Sequence, residues 1–123
     1  MSKATNPTPA TRSICAKRDM QRCVRCGRPL YGSMASLHHR RMRSHGWSGL
    51  HEASNLIWLC GSGTQGCHGY VHMHPTEAYE HGWLVHSYDD PHKVPVAHAK
   101  WGKCFLWDDG SASTIPEPEP GQE

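Results

Sequence analysis

The sequence predicts a small α+β domain stapled by zinc, with extra strands toward its C-terminal end. Three observations carry that prediction. Four of the six cysteines fall into two pairs, Cys23-x-x-Cys26 and Cys60-x6-Cys67. The core is thin: 37% hydrophobic residues in a chain of 123, with twelve glycines and nine prolines. Domains of that kind usually need a metal or disulfide staple. Finally, a short apolar run (Leu56 to Leu59) lies between a histidine pair and a Cys-His pair, as a buried strand leading into a helix would.

Taken in order, the first element is an arm. Residues 1 to 12 are polar and broken by Pro7 and Pro9, which predicts disorder. Ser13 to Met20 fits either a short strand or a helical turn. Arg22 to Arg28 (RCVRCGR) reads as a zinc knuckle, with Gly27 relieving the backbone after the second cysteine. Pro29 to Ser36 connects to a candidate strand, Ala35 to Arg40. Met42 to Ser54 is a polar loop, and Leu56 to Leu59 the second strand. Gly61 to Gly66 reads as a flexible loop, and a helix starts near Cys67. Pro75 opens a further helical turn, Thr76 to His81, with Gly82 as its stop. Trp83 to Ser87 and Gly102 to Trp107 look like strands, and Asp108-Asp109-Gly110 like a turn. The organisation expected is therefore a domain over residues 13–110, with a core at 20–75 and C-terminal strands over about 83–107. Residues 111–123 would be a disordered acidic tail.

Net charge is only +2, but it is uneven. Thr11 to Arg43 holds nine Lys or Arg and one acid, Asp19, while Ser44 to Glu123 holds three basic and ten acidic residues. A basic half suits a polyanion such as double-stranded DNA, although a solvated gradient explains it too. There is no leader-like apolar segment and no run of membrane-spanning length. The expectation is a cytoplasmic protein without membrane contact. In a reducing compartment cysteine pairs at this spacing more often bind metal than form disulfides.

The structural zinc ligands expected are Cys23, Cys26, Cys60 and Cys67, with Cys15 or Cys104 as alternative fourth ligands. The C-x6-C pair is wider than usual, but a looped-out SGTQG insert lets the thiolates converge. Histidine chemistry is the second theme, with eleven histidines in the chain. His38 and His39 are adjacent and on a strand would face opposite sides. His68 and His72 are four apart and on a helix would share a face, as two metal ligands must. His38 and His68, with His72 as a further candidate, can form a site with positions open for water and phosphate. That leaves His39 as a general base. Asn55 could pin the loop before it, or orient the base through a backbone carbonyl. Arg40, Arg41 and Arg43 are candidate phosphate contacts.

The order Cys23-x2-Cys26, His38-His39, Asn55, Leu59-Cys60, Cys67-His68 resembles the HNH endonuclease family. The string LHHRR…NLIWLCGSGTQGCHG is similar to that of small members from actinobacterial phages. The resemblance covers residues 20 to 75 and implies the ββα-metal fold. It implies His39 as general base, Asn55 as the middle asparagine, and His38, His68 and His72 as ligands of one catalytic divalent metal. His38 stands where the family often has Asp, which could favour Zn²⁺ or Ni²⁺ over Mg²⁺, with Mn²⁺ as the other candidate. The implied activity is metal-dependent hydrolysis of DNA phosphodiester bonds, by nicking or double-strand cleavage. The implied setting is the host cytoplasm, beside phage packaging (terminase) proteins. The alternative is a zinc-stabilised nucleic-acid-binding module that cleaves nothing.

Overall fold

The computed structural model describes residues 6–32, 34–43 and 47–115. The chain opens with helix α1, Pro9–Arg18. Thr8 caps it, its Oγ1 accepting from the Thr11 N–H at 3.1 Å, and Lys17 and Arg18 occupy the last turn, where cations suit the helix dipole. The helix overturns the disordered arm for the residues it occupies. Pro9, read as a breaker, stands at a helix start, where its missing N–H costs nothing. The part of the arm before residue 6 lies outside the described residues.

Helix α1 leads into a buried ion network. The Asp19 carboxylate accepts from Arg18 Nε and Nη2 at 2.8 and 3.0 Å, from His98 Nε2 at 2.9 Å and from the Trp58 N–H at 3.1 Å. Each lone pair is matched by a donor, as a buried carboxylate requires. The knuckle follows. Cys23 N–H donates to Arg28 O and Gly27 N–H to Cys23 O, with Gly27 at φ 79°, a conformation that favours glycine.

Strands β1 (Ala35–His39) and β2 (Leu56–Cys60) form an antiparallel pair, with His38 opposite Ile57 and His39 opposite Leu56. Alternation along β2 divides two cores. Leu56 and Trp58 pack with Cys15 of α1, whereas Ile57 and Leu59 join the main core with Val71, Leu84 and Leu106. Helix α2 (Gly66–Met73) packs on β2, and α3 (Pro75–Glu80) follows it. Gly82, at φ 73°, ends this unit: a Cβ there would stand 2.0 Å from Pro95 O.

The expected strand over Trp83 to Ser87 does not form. Trp83, Leu84 and Val85 are buried, but their N–H groups go to Ala78 O and Arg40 O rather than to a ladder. Apolar content marked burial there, not period. Strands β3 (Val96–His98), β4 (Gly102–Leu106) and β5 (Ala112–Thr114) make a second antiparallel sheet. β5 places residues 112–114 in that sheet rather than in a tail, because the Asp108–Gly110 turn returns the chain along β4. Residues 116–123 lie outside the described residues. The fold is thus small and mixed α/β. No described helix is long and apolar enough to cross a membrane.

Candidate functional site

Cys23, Cys26, Cys60 and Cys67 bring their sulfurs within 4.8 Å of one another. The wide second pair closes because residues 61–66 form a tight turn rather than a flexible loop. Ser62 and Gln65 exchange backbone hydrogen bonds, and Gly61 and Gly66 take positive φ of 86° and 63°. A Cβ on Gly61 would lie 2.1 Å from Gln65 O, so only glycine fits there. Cys67 N–H donates to Cys60 Sγ at 3.4 Å and Arg25 Nη1 donates to Cys67 Sγ at 3.3 Å. Four converging thiols with N–H donors aimed at them can hold a structural ion such as zinc. All six cysteines are free of disulfides. Cys15 and Cys104 are buried elsewhere, where burial pushes each thiol up to about 11, so neither replaces a member of the four.

The histidine cluster sits where β1 meets α2. The ligand nitrogens of His38, His68 and His72 also lie within 4.8 Å of one another, with ring centroids 5.0 to 5.3 Å apart. His38 is buried, and its Nε2 is 2.8 Å from Trp83 O. A carbonyl only accepts, so Nε2 carries the hydrogen and Nδ1 keeps its lone pair. The buried Trp83–Val85 segment therefore fixes the tautomer of a candidate ligand. His68 Nδ1 is buried without a partner, the kind of orphan that calls for a ligand, water or ion. Burial, aided by the neighbouring imidazoles, holds His38 well below the usual histidine range and His68 at about 4. Both are neutral at pH 7, as imidazole ligands must be.

An open cleft of about 410 Å³ runs past this cluster, lined also by Leu37, His39, Met42 and Arg43. His39 is nearly buried. Burial first, then the charges of Arg43 and of the imidazoles of His51 and His68, lowers it to about 4. Its Nε2 lies 3.0 Å from His51 Nδ1. Nothing in the sequence marks His51, which sits in the polar loop at no motif spacing from the other histidines.

Asn55 resolves its two alternatives in favour of the loop. It is fully buried, its Oδ1 accepts from Arg41 N–H at 2.7 Å, and its Nδ2 donates to Arg41 O and Leu50 O at 3.1 and 2.9 Å. The long β1–β2 connection is thus cinched at both ends.

Arg40 is a correction. It has no exposed surface and donates to the carbonyls of Gly82, Ser54, Pro91 and Val94 at 2.6 to 3.2 Å. It cannot touch a DNA phosphate. Arg18 is similarly buried, so the basic half presents less charge than its composition suggests. Arg43 is exposed on the cleft, and Arg41 is half-buried with its guanidinium 4.3 Å over the Trp47 ring.

Comparison with protein-family models, curated proteins and solved structures finds no match.

Proposed function

We propose that this protein is a metal-dependent phosphodiesterase acting on double-stranded DNA. Within that class we assign it to the HNH endonucleases, with the β1–β2–α2 unit as the ββα-metal core. The observation that carries the reading is the meeting of four histidines at one open cleft. Three present nitrogens to a common point and the fourth, His39, stands beside them.

A divalent cation held by His38, His68 and His72 would supply Lewis-acid stabilisation of charge growing on the phosphate and on the leaving 3′ oxygen. The chain's own residues do the rest. His39 takes the proton from the attacking water. The tautomer that can do so is the one whose Nε2–H donates to His51 Nδ1, because it leaves Nδ1 with a lone pair. Trp83 O holds the His38 ring so that Nδ1 stays free. Asn55 holds the loop that carries Arg41, and Arg43 offers a cation to phosphate at the cleft.

The test is relaxation of supercoiled plasmid with Mg²⁺, Mn²⁺, Ni²⁺, Zn²⁺ or EDTA. Expected are metal-dependent nicks that vanish with EDTA, and a loss of about 10²- to 10⁴-fold in His39→Ala. No cleavage with any metal, while a gel shift persists, would leave a zinc-stapled DNA-binding module instead.

A further inference from the structure

A second groove, of about 320 Å³, lies beside Arg41 and is lined by Trp47, Tyr88, Asp89 and His92 among others. That volume is at the small end of ligand sites, roughly 300–1,000 Å³. Its walls are aromatic. Tyr79, His86 and Tyr88 form a ladder of nearly parallel rings, with centroids 3.8 and 5.0 Å apart and interplanar angles of 3° and 5°. Tyr88 ends the ladder and is 80% exposed. Across the groove, Trp47 has one face covered by the Arg41 guanidinium. Among the described residues Arg41 Nε and Trp47 Nε1 are buried donors without a hydrogen-bond partner. Asp90 is engaged by His92 at 2.8 Å, whereas the Asp89 carboxylate has no partner among the described residues.

From this geometry we infer that the groove binds a single nucleobase displaced from its strand, stacked on Tyr88. The inference rests on the nucleic-acid reading above and names a substrate feature of it. A flat ring continues the ladder at the spacing its rings already keep. Asp89 suits an exocyclic amino group, which cytosine and adenine carry and thymine lacks. Asn55 ties the groove to the histidine cleft, because it grips the backbone of Arg41 at the end of the strand that carries His38 and His39. A strand crossing the cleft therefore has a place for an unstacked base alongside.

The experiment is fluorescence-anisotropy titration of the full-length zinc-loaded protein with labelled single-stranded dC, dA and dT 12-mers and a 12-bp duplex. EDTA-free buffer without added divalent metal keeps the zinc in place. Wild type is expected to bind dC and dA more tightly than dT. Tyr88→Ala should lose roughly 5- to 150-fold on the single strands, and Tyr88→Phe should restore it. Asp89→Asn should narrow the gap between dC and dT. Circular dichroism of each variant separates misfolding from lost stacking. Equal affinity of folded wild type and Tyr88→Ala for every oligonucleotide overturns the inference. Plasmid cleavage without any Tyr88 effect sinks the groove alone; a Tyr88 effect without plasmid cleavage sinks the nuclease and leaves the groove standing.

Discussion

The cysteine cluster and the histidine cluster share one scaffold, and each gathers its members from segments far apart in sequence. They differ in closure. The cysteine cluster is made by two tight turns, with the Cys67 N–H and the Arg25 guanidinium aimed at its sulfurs; three of its members are buried and Cys26 is exposed. The histidine cluster has one buried, one half-buried and one exposed member, and opens on a cleft. A tetrahedral site filled by protein ligands is the pattern of structural zinc. Three ligands with a position left open is the pattern of a reactive metal. The same molecule thus sets a mostly buried cluster beside one that opens on a cleft.

The largest expected effect breaks the closed site. Replacing Cys60 with Ser removes a ligand that also receives the Cys67 N–H. Structural zinc contributes on the order of 10 kcal/mol of apparent binding free energy at pH 7, comparable to the whole stability of a typical domain. Cys60→Ser should therefore lose its cooperative thermal transition by circular dichroism and its bound zinc by elemental analysis. A melt indistinguishable from wild type would mean that the four thiols hold nothing structural.

The complementary change should leave the fold alone. His68→Ala is expected to keep its zinc and its melting transition while plasmid cleavage falls by at least about 10²-fold, the scale of losing one organised catalytic element. If His68→Ala unfolds instead, the histidine cluster is structural too and the contrast collapses.

How much of this was legible beforehand depended on which physics each residue obeys. The ββα order could be read because an apolar run between ligand-type residues constrains strand, turn and helix together. Ser13 to Met20 fits a strand or a helical turn, and the structure takes the helix; its start at Pro9 is hidden because proline stops a helix from inside and starts one from its first position, and composition does not say which. Trp83 to Ser87 reads as strand, and wrongly, because the burial of Trp83, Leu84 and Val85 has no period. Its contribution, a carbonyl held against His38, is a backbone contact that side-chain identities do not encode. His51 was invisible for the same kind of reason: its place beside His39 is made by the loop that Asn55 pins. Arg40 was the plainest failure. An arginine next to two others looks like surface charge until the carbonyls that surround it are known.

Arg40 and Arg43 sharpen the comparison at the next level down. Arg40→Leu leaves four buried carbonyls without their donor, and each unsatisfied group costs about 1–3 kcal/mol. A loss of at least about 3 kcal/mol in urea unfolding is expected. Arg43→Ala should stay within about 0.5 kcal/mol of wild type, yet weaken DNA binding and reduce the slope of log K against log salt by about 0.9. The reverse pattern would restore Arg40 as a DNA contact.

The smallest effect tests a surface clamp that belongs to neither cluster. His92 bridges Asp90 and Asp108 at 2.8 Å on each ring nitrogen and so ties the turn before β5 to the Pro91–Lys93 segment. Burial alone would lower His92, but the hydrogen bonds and charges of Asp108 and Asp90 outweigh it and raise it above its ordinary 6.5. A raised folded-state value means the folded protein holds the proton more tightly than the unfolded chain. The clamp's contribution is therefore complete below pH 6.5 and is lost as pH rises through the folded-state value. The carboxylates impose the opposite limit, since Asp90 and Asp108 are both lowered and their share fades as pH falls toward the acid range. Because the groups are solvent-screened, the contribution is about 0.2–1 kcal/mol. Melting curves of wild type and His92→Gln from pH 5 to 9 should differ most at pH 5 to 6 and converge above neutrality. A gap that widened with pH would mean that His92 acts as a neutral spacer rather than as a cation between two carboxylates.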